Sequence, residues 1–302
     1  MKIIYYDKIL NNLLRLQAQN DLCVVLKNDA YNFKISKVVG LCEKAKVNSY
    51  AINSLDEAIK VRSLTKKPII LLGLNKQNVS ILKKYNIYPC ANTQAEITFY
   101  TNLKIDFVIE IDTGMNRFGL KNYDESIFVN PYVKYVIAHF YKDMPQNYDQ
   151  MLKIANLCLK HNIKFNFGGS MLVGKTNYPL RVGRIIYEHS TAFWGQVIFV
   201  KQVYKGQMVG YEGEYIAQND EKIAVIDVGY CNGLRPNFKG RVCCNNRFYQ
   251  VVGRICMNHT FIKIDDDVQI GDVVEFYGVK IDENEFLKNN NMSLYESFFY
   301  IK

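Results

Sequence analysis

The chain has 302 residues, of which 49% are hydrophobic and 22% charged, and its formal net charge is +9. That length suits two domains, or one barrel with an appendage, and the balance of residues is that of an ordinary globular protein. No apolar run approaches the roughly 18 residues needed to span a bilayer. The lysines are scattered without a basic tract. The composition therefore predicts neither a membrane protein nor a nucleic-acid-binding protein.

The eight cysteines form no Cys-x-x-Cys pair, and most lie in apolar stretches. Cys243 and Cys244 are adjacent, so in a strand their side chains would point to opposite faces. The pattern favours reduced thiols over a disulfide framework or a metal site. The first residues contain no apolar stretch long enough for a secretion signal. We therefore expect a cytoplasmic protein without a bound metal.

The first part of the chain, residues 1–192, alternates between strand-like and helical patterns. Residues 7–20, 36–45 and 94–100 have helical spacing, and Ser54 followed by Glu57 is a capping-box signature. Strands are predicted at residues 22–27, 47–52, 68–73, 87–91, 105–112, 132–139, 163–168 and 180–187. Eight strands separated mostly by helices predict a parallel (β/α)8 TIM-like barrel.

The second part, residues 193–302, has a different texture. Short strand-like runs are separated by Gly, Asn and Asp, which predicts a C-terminal all-β domain. Runs of this kind occur at residues 197–203, 214–217, 223–228, 248–252, 260–264 and 273–276. Since no Gly/Ser-rich linker marks the join, we expect the two domains to pack against each other.

Lys27 ends the first apolar strand of the barrel. In a parallel barrel the carboxyl ends of the strands carry the chemistry. Desolvation there would lower the pKa of an amine and make it a Schiff-base former. The alternative is a solvated lysine at a strand end, which is common in a Lys-rich chain.

Charged residues continue at the ends of later strands. Glu110 and Asp112 share one face of the fifth predicted strand, and the turn that follows places Arg117 near the same mouth. Arg117 could clamp a substrate carboxylate or form a salt bridge to either acid. His139 ends the next strand, as a functional or a purely structural histidine.

Two glycine-containing turns follow. Arg181 lies beside Gly183 and Arg184, and Gly169 precedes Ser170. Backbone amides in such turns can contact phosphate, although simple turns are the alternative. In the β domain, tyrosines flanked by glycines are candidate proton carriers or packing residues.

Together these segments resemble the alanine racemase family of fold-type III pyridoxal-phosphate enzymes. Val25-Leu-Lys27-Asn-Asp-Ala-Tyr31 is similar to the cofactor-lysine motif. Asp112-Thr-Gly-Met-Asn-Arg-Phe-Gly119 is close to the DTGMxRxG segment. Val228-Gly-Tyr-Cys-Asn-Gly233 resembles the GYxDG element, and Gly253-Arg-Ile-Cys-Met257 the GRxxM element. The four motifs occur in the family's order, and the resemblance in order and domain placement extends from about residue 3 to residue 296.

The resemblance implies a homodimer with shared active sites, acting on a small amino acid with pyridoxal 5'-phosphate as cofactor. Lys27 would carry the cofactor and act as base on one face of the substrate, and Tyr211 of the second subunit would act on the other. Arg181 would bond the pyridine nitrogen, with His139 orienting it. The implied phosphate-binding positions are Tyr31, Ser170, Gly183 and Arg184, and the implied substrate-carboxylate positions are Arg117 and Met257.

The chain departs from the family at several of these places. Glu110 occupies the position of a lysine that is carbamylated in many members, and we expect it to support Arg117. Glu212 follows Tyr211 where glycine is usual, and Asn232 and Asn258 stand where aspartates are common. The sequence ends before the segment that normally supplies a further phosphate-binding tyrosine, for which Tyr300 is a candidate.

The expected activity is racemisation of L- and D-alanine, which in a bacterium would supply D-alanine for peptidoglycan. A racemase for serine or another amino acid is an open alternative. So are a non-catalytic pyridoxal-phosphate-binding barrel and a decarboxylase of the same general fold. The appended domain with Tyr211 argues against a simple carrier, which needs no second base.

Overall fold

The structure is a computed structural model that describes residues 1–73 and 78–302. Its contacts divide the chain into two compact units. The barrel unit is Tyr6–Tyr187, and the β unit combines Met1–Tyr5 with Glu188–Lys302. The first strand, β1 (Lys2–Ile4), therefore belongs to the β unit. The sequence-based boundary at residue 192 stays a prediction.

The barrel unit contains eight parallel strands that close on themselves. Its helices are α1 (Tyr6–Gln17), the short turn α2 (Lys27–Asn32), α3 (Ile35–Lys44), α4 (Leu55–Arg62), α5 (Val79–Tyr85), α6 (Gln94–Asn102) and α7 (Pro145–Lys160). Its strands are β2 (Leu22–Val25), β3 (Ser49–Ile52), β4 (Ile69–Leu71), β5 (Ile87–Ala91), β6 (Phe107–Ile111), β7 (Val133–His139), β8 (Lys164–Gly168) and β9 (Leu180–Val182). The predicted (β/α)8 barrel is confirmed.

The barrel closes between its first and last strands, where Cys23 of β2 pairs with Arg181 of β9. Every residue of β2 and β3 is buried, as expected for strands covered on both faces. Among these mostly apolar strands, Glu110, Asn166 and Arg181 are buried polar residues. Because buried polar groups are costly unless paired, they mark the part of the barrel with a function.

After β1, the strands of the β unit are β10 (Thr191–Val203), β11 (Met208–Val209), β12 (Tyr215–Ile216), β13 (Glu221–Ile226), β14 (Arg241–Cys244), β15 (Arg247–Val252), β16 (Thr260–Ile264) and β17 (Val273–Tyr277). Seven of the strands form an antiparallel sheet in the order β1-β10-β13-β16-β15-β14-β17. β10 also pairs with β17, and β11 forms a separate hairpin with β12. The predicted β domain is confirmed.

Two short helices follow the last strand, α8 (Glu283–Asn289) and α9 (Leu294–Tyr300), which the sequence patterns did not predict. Phe286 and Phe298 bury their rings from these helices. Within residues 1–73 and 78–302, no helix is long and apolar enough to cross a membrane.

Candidate active site

The predicted site residues of the barrel unit lie at the carboxyl ends of its strands. Lys27 follows β2, Arg117 lies in the loop after β6, and His139 is the last residue of β7. Arg181 is in β9. Because parallel strands of a barrel end at the same face, these side chains gather at one mouth.

Lys27 is half-buried at this mouth. Burial lowers the pKa of its amine, and the cations of Arg117 and Arg181 lower it further. A larger fraction of neutral amine makes the lysine a better nucleophile at moderate pH. The ammonium nitrogen lies 5.7 Å from the centre of the Tyr31 ring. The solvated-lysine alternative does not describe this environment.

The turn after Lys27 has an unusual backbone. Asn28, Asp29, Ala30 and Tyr31 have φ angles of 51° to 56°, and Asn32 has a φ of 69°. Left-handed conformation is unfavourable for each of these side chains, because the Cβ atom crowds the following carbonyl. The turn is therefore held by contacts with the rest of the barrel unit.

Tyr31 is delivered by this turn to a close contact with Gly183. A Cβ atom added to Gly183 would lie 2.5 Å from the Tyr31 hydroxyl oxygen. The Tyr31 ring also lies 5.4 Å from that of Tyr187, which stacks on Phe33 at 4.4 Å. Tyr31 and Gly183, both predicted from the sequence, are thus brought together.

Arg181 is buried and held from two sides. Its guanidinium donates to Asn166 Oδ1 at 3.0 Å and to the Ala138 carbonyl at 3.4 Å. A Cβ atom on Gly168 would lie 2.5 Å from His139 Nδ1 and 2.9 Å from the guanidinium. Gly168 therefore allows these two side chains to approach each other. In the described part of the chain, Arg181 donates hydrogen bonds to Asn166 and to Ala138. The His139 ring lies beside its guanidinium.

Asn166 is a site residue that the sequence patterns missed. It lies in Lys164-Phe-Asn-Phe-Gly168, and it shares a face of β8 with Gly168. A buried asparagine between two aromatic residues was the available signal. Its Nδ2 atom is buried without a hydrogen-bond partner in the described part of the chain. Since buried amides are normally paired, this donor is free for a bound group.

His139 is held in its neutral form. Burial lowers the pKa of its imidazole to about 4, and the cations of Arg181, Arg117 and Lys27 act in the same direction. The Thr113 hydroxyl donates to the His139 carbonyl at 2.5 Å, which ties the Arg117 loop to the end of β7. A neutral imidazole beside Arg181 adds no repulsion between cations.

The Arg117 loop is shaped by the residues before it. Asp112 Oδ1 accepts from the amides of Gly114 at 3.0 Å and Asn116 at 3.1 Å. Arg117 itself is exposed. It makes no ion pair with either neighbouring acid in residues 1–73 and 78–302, so the salt-bridge alternative is not formed. The guanidinium is available for a carboxylate.

Glu110 is buried in the barrel, with 5% of its surface exposed. Burial raises the pKa of its carboxyl, while the cations of Arg181 and Arg117 oppose that rise in this order. The stronger electrostatic partner is therefore Arg181, and Arg117 is the weaker one. Glu110 therefore interacts electrostatically with both arginines.

Two further predicted positions open 3₁₀ turns after the last strands. Ser170 begins Ser170–Leu172 and is exposed, and Arg184 begins Arg184–Tyr187. Gly169 before the first turn has a φ of 140°. Side chains other than glycine rarely adopt a φ in this range, so glycine is favoured at this position.

Tyr211 and Met257 belong to the β unit. Tyr211 opens a 3₁₀ turn and is 64% exposed. The next residue, Glu212, has a φ of 61° and forms an ion pair with Arg254. Glu212 therefore has the left-handed conformation that glycine adopts most easily. Its ion pair with Arg254, which belongs to the GRxxM element, stabilises this conformation.

The loop that contains Met257 packs against the GYxDG-like loop within the β unit. The amides of Tyr230 and Cys231 donate to the carbonyls of Cys256 and Met257, each at 3.0 Å. A Cβ atom on Gly229 would overlap both of these carbonyls. The two loops are therefore joined by backbone hydrogen bonds, and only glycine fits at position 229, where they meet.

Comparisons with known proteins cover most of the chain. The family model described as the alanine racemase N-terminal domain matches residues 4–130, and that of the C-terminal domain matches residues 191–302. The chain belongs to the alanine racemase family.

Two curated relatives match it over about nine tenths of their own length. It is 24% identical to an alanine racemase of Borreliella burgdorferi (strain ZS7), over 95% of this chain and 90% of the relative. It is 25% identical to alanine racemase 2 of Staphylococcus aureus (strain COL), over 92% and 89%.

Solved structures of the family share the fold. Alanine racemase from Acinetobacter baumannii has a TM-score of 0.86 at 18% identity, with 100% of this chain and 97% of that chain covered. Alanine racemase from Bartonella henselae, solved with covalently bound pyridoxal phosphate, has a TM-score of 0.85 at 22% identity and the same coverage. Histidine racemase from Leuconostoc mesenteroides has a TM-score of 0.80 at 19% identity, covering 100% and 95%. The shared fold does not by itself choose the substrate side chain.

Proposed function

We propose that this protein is a pyridoxal-phosphate-dependent racemase that interconverts L- and D-alanine with two bases, Lys27 and Tyr211. The observation that carries the proposal is the amine of Lys27 at the barrel mouth, whose pKa is lowered by burial and by two arginines. Such an amine suits covalent attachment to a carbonyl.

The barrel residues fit this cofactor. Lys27 would hold the aldehyde carbon, and the cradle formed by Tyr31 and Gly183 leaves no room for a Cβ atom. We assign phosphate contacts to the Tyr31 hydroxyl, the Ser170 hydroxyl, and the backbone at Gly183 and Arg184. When bound, pyridoxal phosphate supplies an electron sink that acidifies the substrate Cα proton.

Arg181 would donate to the pyridine nitrogen. A guanidinium stays protonated in proteins, so it donates a hydrogen bond and gives up no proton. The nitrogen would then remain unprotonated, which limits side reactions such as transamination. The bonds from Arg181 to Asn166 and Ala138 fix its plane. His139, in its neutral form, would pack beside it and orient it.

Arg117 would bind the substrate carboxylate through two parallel hydrogen bonds. Its exposed position and its lack of an ion pair with Glu110 or Asp112 within the described residues support that role. The backbone of Met257 would contact the same carboxylate. Glu110 would balance the charge of the two arginines from inside the barrel.

Racemisation needs one group to remove the Cα proton and another to return a proton to the opposite face. Lys27 would serve one face and Tyr211 of a second subunit the other. Tyr211 is well exposed, and the neighbouring hairpin of β11 and β12 exposes Met208 and Ile216. An apolar patch of this kind suits burial in a homodimer. The active sites would then be shared between subunits.

D-alanine made by this reaction would feed peptidoglycan in a bacterium. The protein would work in the cytoplasm, which is consistent with its eight free cysteines, six of them buried.

The function is tested by incubating the purified protein with pyridoxal phosphate and L-alanine in deuterated water. The same assay is run with L-serine, L-histidine and other L-amino acids. We expect the D-isomer with deuterium at Cα, formed fastest from alanine. If another amino acid were converted faster, that amino acid and not alanine would be the preferred substrate. Release of carbon dioxide, or the absence of any exchange, would contradict a racemase.

A further inference from the structure

We propose that Glu57 is a positioning residue for Lys27, because its carboxylate holds the left-handed turn that follows the lysine. The inference rests on the proposed role of Lys27 as cofactor anchor. It adds a residue from α4, an element to which no part of the chemistry has been assigned above.

The Glu57 carboxylate spans two successive backbone amides. Oε1 accepts from the amide of Asp29 at 2.7 Å, and Oε2 accepts from the amide of Asn28 at 3.3 Å. These are the first two residues after Lys27. Hydrogen bonds to a charged acceptor are about twice as strong as neutral ones. The contact therefore acts on the backbone directly beside the reactive lysine.

The turn needs such an acceptor. Five consecutive residues, from Asn28 to Asn32, have positive φ, and none is glycine. Left-handed conformation is unfavourable for each of these side chains. Backbone conformations of this kind persist only where the surrounding structure fixes them.

Other hydrogen bonds of the turn involve the amides of residues beyond Asp29. Asp29 Oδ1 accepts from the amide of Ile35 at 2.9 Å, and the Lys34 amide donates to the Asp29 carbonyl at 3.1 Å. The Ala30 amide donates to the Leu26 carbonyl at 2.9 Å. In the described part of the chain, the amides of Asn28 and Asp29 are bound by Glu57.

Glu57 reaches this position because it leaves the expected capping box half formed. Ser54 Oγ accepts from the Glu57 amide at 3.4 Å, which is one half of the box. The Glu57 side chain does not return to the Ser54 amide and instead crosses to the turn after β2. The first turn of α4 therefore lacks one hydrogen bond of the capping box. The loop after Lys27 has two hydrogen bonds to Glu57 instead.

The consequence for Lys27 is directional. Its side chain is half-buried, so the direction of its amine depends strongly on the backbone from which it extends. A fixed turn keeps the amine in position to attack a carbonyl and to transfer a proton at the substrate Cα. Glu57 touches no reacting atom, so its role is positioning.

The experiment compares the full-length wild-type protein with Glu57→Gln and Glu57→Ala, each prepared without cofactor. Lys27 is allowed to react with pyridoxal phosphate for short times, trapped with borohydride and quantified by mass spectrometry. Amide hydrogen exchange at Asn28 and Asp29 is measured on the same samples. Asp56→Asn is the matched control, because it removes an exposed carboxylate from the same helical turn.

We expect Glu57→Gln, which keeps one acceptor oxygen, to slow the trapping of Lys27 about tenfold, the effect of losing one charge-assisted hydrogen bond. Exchange at Asn28 and Asp29 should rise by a similar factor. Glu57→Ala should exceed both effects, and Asp56→Asn should match the wild type.

A trapping rate in Glu57→Gln equal to that of the wild type, with the protein folded by circular dichroism, overturns the positioning role. A second contrary result is faster exchange without slower trapping, since Glu57 would then stabilise the turn without affecting the amine. If wild-type Lys27 itself fails to react, the proposed function fails instead. The two failures are therefore distinguishable.

Discussion

Glu110 is a buried carboxylate in the barrel, and its burial decides what it can do. A carboxylate that is 5% exposed is expensive to ionise unless cations compensate it. The cations of Arg181 and Arg117 both act on this carboxyl and oppose the rise in its pKa that burial causes.

Glu110→Gln should raise the KM for alanine several-fold, with a smaller fall in kcat. The amide keeps the shape of the side chain but removes the charge that faces both arginines. Steady-state kinetics measure the effect, with Asp106→Asn, an exposed carboxylate just before β6, as control. Unchanged affinity and turnover would remove Glu110 from the site.

His139 makes stability depend on pH. Its pKa is about 4 in the folded chain against an ordinary value of 6.5, so the unfolded chain binds the proton first as the pH falls. The imidazole therefore contributes stability that is present above pH 6.5 and is lost toward pH 4. In His139→Asn, we expect the free energy of unfolding to vary less across this window. Urea unfolding at several pH values measures it, and an unchanged slope would contradict the assignment.

At this scale the sequence predicted residues that belong to motifs and missed those that support them. Lys27, Tyr31 and Gly183 were found because their spacing resembles a family pattern. Asn166 and Glu57 act through contacts between different elements. The local sequence marks Asn166 only as an asparagine between two aromatic residues and Glu57 as a capping-box residue, and it does not show which partner either side chain reaches.

Among the elements, the barrel strands were predicted well because burial on both faces produces short, nearly continuous apolar runs. The predicted strand at residues 87–91 coincides with β5 (Ile87–Ala91), and that at 163–168 differs from β8 (Lys164–Gly168) by one residue. The helices α8 and α9 were missed since each has seven residues. Too few turns are present for a helical period to emerge.

The turn α2 could not have been predicted as left-handed. Its sequence, Lys-Asn-Asp-Ala-Tyr-Asn, contains no glycine. Local preference for these residues is right-handed or extended. The tertiary contacts of Glu57, Tyr31 and Asp29 override that preference.

A simpler left-handed residue offers a stability test at the end of α3. Lys46 has a φ of 59° directly after the C-cap residue Ala45, a position that favours glycine. Lys46→Gly should raise the free energy of unfolding by about 0.5–1 kcal/mol, the relief of the left-handed strain less the added freedom of the unfolded chain.

The matched control is Lys44→Gly, in the last turn of the same helix. It should lower stability by up to about 1 kcal/mol. Chemical denaturation of both variants measures the difference. The assignment of strain to Lys46 would be wrong if both variants lost stability equally.

For the whole molecule, the change from alternating helices and strands to short strands predicted two domains of the correct classes. The place of β1 could not be predicted. It pairs antiparallel with β10 through Lys2↔Phe193 and Ile4↔Thr191, nearly two hundred residues away in sequence. A three-residue strand carries no pattern that identifies so distant a partner.

The proposed homodimer makes a prediction about mixed subunits. Lys27→Ala and Tyr211→Phe should each be inactive alone, since each lacks one base. When the two variants are co-expressed, dimers with one subunit of each kind contain one intact site, so part of the racemase activity should return. Two copies of the same variant form the control. No recovery in a verified mixed dimer would contradict sites shared between subunits.

Lys27 and Tyr211 are proposed to act as bases on opposite faces of alanine. The most direct measurement follows Cα deuterium incorporation and inversion for L- and D-alanine separately, in deuterated water. Tyr211→Phe should lose racemisation by a factor of about 10²–10⁴, as expected for a missing general base, yet still exchange the Cα proton of one enantiomer with retention. Racemisation by Tyr211→Phe at the wild-type rate would contradict the role of Tyr211 as the second base.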